Sequence, residues 1–181
     1  MKPALPVPWL IKPAVPLIAW LTARFISHHH RRLWPHAEAI RPELQVKLRP
    51  FFPADVLAGT RIVRAAIPEP RFYPFVKFIG VRGWLEPSSV GAMTLIDLVA
   101  YPRRLSPSTL AHELVHVVQY RVLGLKKFAD LYVRGFLDGG GYEGIPLERQ
   151  AYELEERMRS FPDKAFSVEE DVIRRLEAGR L

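Results

Sequence analysis

Apolar residues recur along this chain at two different spacings, and the spacings predict its elements. Between Pro107 and Leu123 they fall at Leu110, Ala111, Leu114, Val115, Val117, Val118, Val122 and Leu123. That spacing is helical and covers much of the circumference, as in a helix largely buried in a core. Ser106 followed by Pro107 reads as an N-cap and first helical residue, and Gly124 reads as the stop. Residues 125–137 continue at helical spacing as far as Gly139-Gly140-Gly141, which reads as a hinge, a tight turn or a lid. Pro146 predicts the first turn of a further helix. Ser167 and Glu170 form a capping box that opens a last helix, ended by Gly179. Upstream, Thr60 to Ile67 alternates as a strand does, and Pro68 and Pro70 end it. Phe72, Tyr73, Phe75 and Phe78 are candidate core residues, and no internal repeat is visible.

The central helix carries the candidate chemistry. His112, Glu113 and His116 lie in the run His112-Glu113-Leu114-Val115-His116, an HExxH motif. Residues four apart share a helix face, so both imidazoles aim at one point, as two ligands of a tetrahedral zinc ion must. Zinc with an open coordination position lowers the pKa of bound water to about 7, and a carboxylate beside it accepts the proton as that water attacks a carbonyl. Hydrolysis with Glu113 as general base is the chemistry implied. The plainer alternative leaves two histidines and a glutamate on a buried helix without partners. Each unpaired polar group there costs about 1–3 kcal/mol, and a metal satisfies them together.

A catalytic zinc site usually takes three protein ligands. No histidine follows His116, and Gln119 and Val122 stand where a metzincin needs Gly and His. A downstream third ligand is therefore a carboxylate. Glu148 leads, because it projects from the first turn of the helix opening at Pro146, where the helix dipole also favours an anion. Asp138 and Glu143, beside the glycine triplet, are the alternatives. Tyr152 lies one turn beyond Glu148, with its hydroxyl placed to brace Glu148 or to stabilise an oxyanion; Tyr142 is a second candidate for the oxyanion role. Glu153, Glu155 and Glu156 read as solvated charges paired with Arg157 and Arg159.

The stretch Leu110-Ala111-His112-Glu113-Leu114-Val115-His116-Val117-Val118-Gln119-Tyr120, with Pro146-Leu147-Glu148-Arg149-Gln150-Ala151-Tyr152 after it, resembles the small bacterial zincin-like metallopeptidases. The resemblance covers about residues 90–160. It implies a gluzincin-type site in which His112, His116 and Glu148 bind Zn2+ and Glu113 is the general base. It also implies that Thr94 to Val99 forms a strand before the active-site helix. The spacing from His116 to Glu148 departs from that of thermolysin-like enzymes, and their NExxSD element is absent. A strand over 94–101 at a sheet edge above the helix would pair with an extended peptide, which makes polypeptide the expected substrate class.

At 181 residues, 49% hydrophobic and 25% charged, the chain suffices for one domain with a real core. The expected fold is α+β and zincin-like, over residues 46–181: a small antiparallel or mixed sheet, the HExxH helix and further C-terminal helices. A basic, proline-rich, apolar extension over residues 1–45 precedes it. With no cysteine, only histidine and carboxylate are left to hold a metal. Residues 1–110 carry 15 basic and 6 acidic side chains, and residues 111–181 carry 11 and 13, so the positive charge is N-terminal. Apart from His28-His29-His30-Arg31-Arg32 the basic residues are scattered singly, which argues against nucleic acid as a partner. The apolar run Ala14 to Ala23 is too short to span a bilayer. Trp9, Trp20 and Phe25 beside Arg24, Arg31 and Arg32 fit either peripheral membrane contact or packing over the domain. These features favour a cytoplasmic or peripheral-membrane location over secretion. The competing account of function is a zinc-binding protein of the same fold that lacks turnover and acts as a binding or structural module.

Overall fold

A computed structural model describes residues 13–68, 91–139 and 141–181. Along the chain it builds α1 (Val15–Leu33), β1 (Glu38–Ala39), α2 (Pro42–Leu48), α3 (Ala54–Gly59), β2 (Arg61–Arg64), β3 (Met93–Leu95), β4 (Leu98–Tyr101), α4 (Pro107–Asp138), α5 (Pro146–Ser160) and α6 (Val168–Glu177). The class is α+β, as expected. Phe72, Tyr73, Phe75, Phe78, Pro70 and Trp9 lie outside the described residues.

Helix α4 begins at its predicted cap: Pro107 takes the first helical position and the Ser106 hydroxyl accepts a 3.0 Å hydrogen bond from Thr109 N. At Gly124 the backbone turns to φ 73°, ψ 157°, a conformation that glycine adopts without a steric cost. The helix axis breaks there, and a second helical stretch follows directly. Every residue from Leu110 to Tyr120 is buried. Helices α2, α3, α5 and α6 share one apolar cluster with this first half, through Leu48, Leu57, Leu154 and Val172 beside Leu114 and Val118. The second half packs with α1 and the sheet through Ile18, Leu98, Phe128 and Val133.

The sheet is mixed, in the order β1-β2-β4-β3, with β2 and β4 parallel and the outer pairs antiparallel. Strand β2 is shorter than the alternation from Thr60 to Ile67 predicts. Residues 94–101 also depart from the expected single strand: they form a hairpin in which Leu95 faces Leu98 across a turn at Ile96-Asp97. Ile96 has φ 66°, rare for a β-branched residue. Tertiary contacts hold the turn: Leu95 and Leu98 are fully buried, Asp97 O accepts from Arg61 N at 2.9 Å, and Asp97 Oδ1 lies 2.7 Å from His30 Nε2. Among the described residues strand β3 thus forms the sheet edge, beside α4, and β4 lies inside the sheet.

Helix α1 lays Val15, Ile18, Ala19 and Ile26 into the core. Its outer face leaves Leu17 and Trp20 exposed, with the Arg24 guanidinium 5.0 Å over the Trp20 ring. Among the described residues no helix is long and apolar enough to cross a membrane.

The connection from α4 to α5 is a tight turn. Gly141 (φ 129°) donates from its N to Phe136 O at 2.9 Å, and a 3-10 turn over Tyr142–Gly144 leads into α5. The backbones of Gly139 and Gly144 touch: a Cβ on Gly139 would sit 2.6 Å from Gly144 Cα and from Gly135 O. Gly139→Ala is expected to cost about 1–3 kcal/mol through this overpacking. Gly59→Ala, whose Cβ meets nothing within 4 Å, should stay within about 0.5 kcal/mol. Thermal unfolding of the two variants reads the contrast, and equal melting temperatures would refute the packing account of the turn.

Candidate metal centre

The first half of α4 presents His112 and His116 one turn apart, and the tight turn brings Glu148, in the first turn of α5, against them. The two Nε2 atoms are 3.2 Å apart, and each lies 3.4 Å from Glu148 Oε2. Ligand atoms about 2.0–2.2 Å from a tetrahedral zinc ion are about 3.3 Å from one another, so the three fit its coordination sphere. Among the described residues no other group of three His or carboxylate side chains has a metal-binding arrangement. Asp138 and Glu143 are exposed and stand outside it.

The outward atoms of the ligands are held by other elements. His112 Nδ1 lies 3.1 Å from Glu155 Oε2, and Glu155 Oε1 accepts from the Ser108 hydroxyl at 2.6 Å. A carboxylate accepts hydrogen bonds, so the ring proton of neutral His112 sits on Nδ1 and the Nε2 lone pair faces inward. His116 Nδ1 lies 2.8 Å from Gln119 Oε1. Glu148 accepts from the Tyr132 hydroxyl at 2.9 Å and from the Tyr142 hydroxyl at 2.6 Å. Tyr152 hydrogen-bonds Tyr142 in turn, and its ring lies over His112 with centroids 4.5 Å apart. It reaches Glu148 through Tyr142 and leaves about half its surface exposed.

Glu155 is the clearest departure from the sequence reading, which made it a solvated charge beside Arg157 and Arg159. The signal for it was available: seven residues after Glu148 it returns to the same face of α5. Glu153 pairs instead with Arg175, and Glu156 pairs with Arg159. Tyr132 was missed as well, because nothing local in the sequence announces a contact made across the turn.

Glu113 lies on the β3 side. The Thr94 hydroxyl is 2.5 Å from Glu113 Oε2 and 3.1 Å from Glu113 O. Burial raises the proton affinity of Glu113 against the pull of His116 and the Thr94 hydrogen bond, and the net shift is upward. Burial acts likewise on Glu148 but is outweighed by the charge of His116 and by the hydrogen bonds the carboxylate accepts, Tyr142 among the donors, which hold it below the ordinary carboxylate range. Burial and the Glu148 charge push the Tyr132 and Tyr142 hydroxyls upward, so both stay protonated as donors.

In comparisons with known proteins, the chain matches no family model, no curated protein and no solved structure. The chemistry of the site therefore rests on its geometry. Two imidazoles and one carboxylate converge on a point, and a second carboxylate stands beside them.

Burial lowers the proton affinity of His116, but the charge and hydrogen bond of Glu148 outweigh it and raise the pKa to about 9. In protein stripped of metal this ring is therefore protonated at about pH 7, and a metal ion must displace that proton. Calorimetry of zinc binding in buffers of different ionisation enthalpy should find about one proton released per ion near pH 7, with release fading as pH rises through about 9. Zinc uptake without proton release near pH 7 would contradict this coupling.

Proposed function

We propose that the chain is a zinc-dependent hydrolase that cleaves peptide bonds, with a zincin-like fold and a gluzincin-type site. The observation that carries this reading is the near-equilateral set of His112 Nε2, His116 Nε2 and Glu148 Oε2, at 3.2 and 3.4 Å separations, with Glu113 beside it. Three protein ligands leave a fourth position free, which distinguishes a catalytic site from a closed structural one. A zinc ion held there supplies Lewis-acid polarisation and an acidified water.

The chain's own residues supply the rest. Glu113 takes a proton from the attacking water as the C–O bond forms, then passes it to the amine nitrogen as the C–N bond breaks, and ends ionised as it began. Burial raises the proton affinity of this carboxylate, which favours its taking the proton, and the Thr94 hydroxyl holds its orientation. Tyr152, half exposed over His112 and joined to Glu148 only through Tyr142, is the hydroxyl assigned to the developing oxyanion, because Tyr142 bonds the candidate ligand Glu148 directly. An extended polypeptide docks along the edge strand β3 by main-chain pairing.

A second reading, zinc binding without turnover, draws on the depth of the site: His112, Glu113, His116 and Glu148 are each only 5–6% exposed. Glu113→Gln separates the two. Elemental analysis should find one zinc per chain in wild type and in Glu113→Gln, and none in His116→Ala or Glu148→Ala. Cleavage of an unfolded, fluorescently quenched protein substrate should fall about 10²–10⁴-fold in Glu113→Gln. Zinc in wild type with no Glu113-dependent cleavage would leave the binding module, and no zinc would remove both accounts.

A further inference from the structure

Gln119 and Gln150 are fully buried amides one and two layers behind the site, and the fixed chemistry of their neighbours sets which way each points. Gln119 Nε2 lies 3.0 Å from the Leu147 carbonyl oxygen, a group that only accepts, so this end of the amide is the NH2. Its other N–H reaches Gln150 Oε1 at 3.0 Å. Gln150 is oriented independently from its far end, where Nε2 donates to Asp171 Oδ1 at 2.9 Å. Asp171, in the first turn of α6, is held as an acceptor by Arg175 Nε at 2.8 Å and by Arg174, and Arg175 also pairs with Glu153 on α5 at 2.7 Å. Two acceptor-only groups, one on α5 and one on α6, thus enforce the same direction along the chain of amides. The end left facing the site is Gln119 Oε1, 2.8 Å from His116 Nδ1.

We infer that Gln119, Gln150 and Asp171 form a directional hydrogen-bond relay that fixes the proton of neutral His116 on Nδ1 and so presents Nε2 to the metal. These are positioning residues, and the inference rests on the proposed metal site. They do for His116 what Glu155 and Ser108 do for His112, by a longer route. The relay also makes α6, remote from the histidines in sequence, part of the determination of metal affinity. A reversed Gln119 amide would place its NH2 against the Nδ1 proton and its oxygen against the Leu147 carbonyl, and the site would lose its pre-organised ligand.

The test is the Kd for zinc, by competition with a chromophoric chelator, on the full chain as wild type, Gln119→Leu and Asp171→Ala. Gln119→Leu should raise Kd by about tenfold to a hundredfold, as loss of such outer partners does elsewhere, and Asp171→Ala, which touches neither histidine, by a smaller factor of about three to ten. In zinc-loaded wild type with nitrogen-labelled histidine, His116 should carry a slowly exchanging proton on Nδ1, and Gln119→Leu should lose that protection. A packing role alone would lower the melting temperature and leave both readouts unchanged. Wild-type Kd in both variants would overturn the relay while leaving the metal site intact; should Gln119→Leu not fold, an unchanged Kd in Asp171→Ala overturns it. Absence of zinc binding in wild type would instead refute the metal site on which the relay depends.

Discussion

Two imidazoles and two carboxylates sit together at the centre of an apolar core, and most of the structure around them answers that burden. Each would be expensive to bury unpaired, because a low-dielectric surrounding penalises an uncompensated charge heavily. None is left so. Glu148 takes two tyrosine hydroxyls and the two Nε2 atoms, Glu113 takes Thr94, His112 takes Glu155, and His116 takes Gln119. These partners come from β3, both halves of α4, the 3-10 turn and α5. The site is thus a meeting point of elements, and holding it together requires that they dock in one register.

That register depends on the turn between α4 and α5. The backbones of Gly139 and Gly144 approach more closely than any side chain permits, and Gly141 at φ 129° reverses the chain with its N bonded to Phe136 O. Tyr142 is thereby delivered directly onto Glu148, and Pro146 starts α5 with Glu148 in its first turn. The second half of α4, redirected at Gly124, supplies Tyr132 from the opposite side. Glycines with backbone roles and tyrosines with hydroxyl roles are two parts of one device: the former set the path, and the latter neutralise what the path brings inside.

Much of this was legible in the sequence, and the reason differs from case to case. The cap of α4, its break at Gly124, the start of α5 at Pro146 and the cap of α6 at Ser167 are all set by local backbone chemistry, which a short window contains. The juxtaposition of His112 and His116 follows from helical periodicity alone. The hairpin at Ile96-Asp97 does not, because no glycine, asparagine or proline marks the turn; Ile96 is forced to φ 66° by contacts from Arg61, His30 and the buried leucines on either side. Gln119, Gln150, Asp171 and Tyr132 act across elements far apart in the chain. Their residue types are ordinary in helices, so only the docked arrangement reveals what they hold.

The hairpin has a consequence for the chemistry proposed. Had 94–101 been one strand, Thr94 would have been an ordinary position at its start. Folded back at Ile96, the chain places Thr94 on a three-residue edge strand with its hydroxyl 2.5 Å from Glu113 Oε2, while its neighbour β4 takes the interior position of the sheet. The strand on which an extended peptide would pair therefore also carries the side chain that would orient Glu113 as the proposed general base. Any shift of β3 that accompanies main-chain pairing would be felt at the Glu113 carboxylate through a single hydrogen bond. Because Glu113 is buried and its proton affinity is raised by that burial, a change in this one hydrogen bond would alter how readily it takes a proton. On the proposed mechanism, substrate docking and base strength would thus be joined at Thr94.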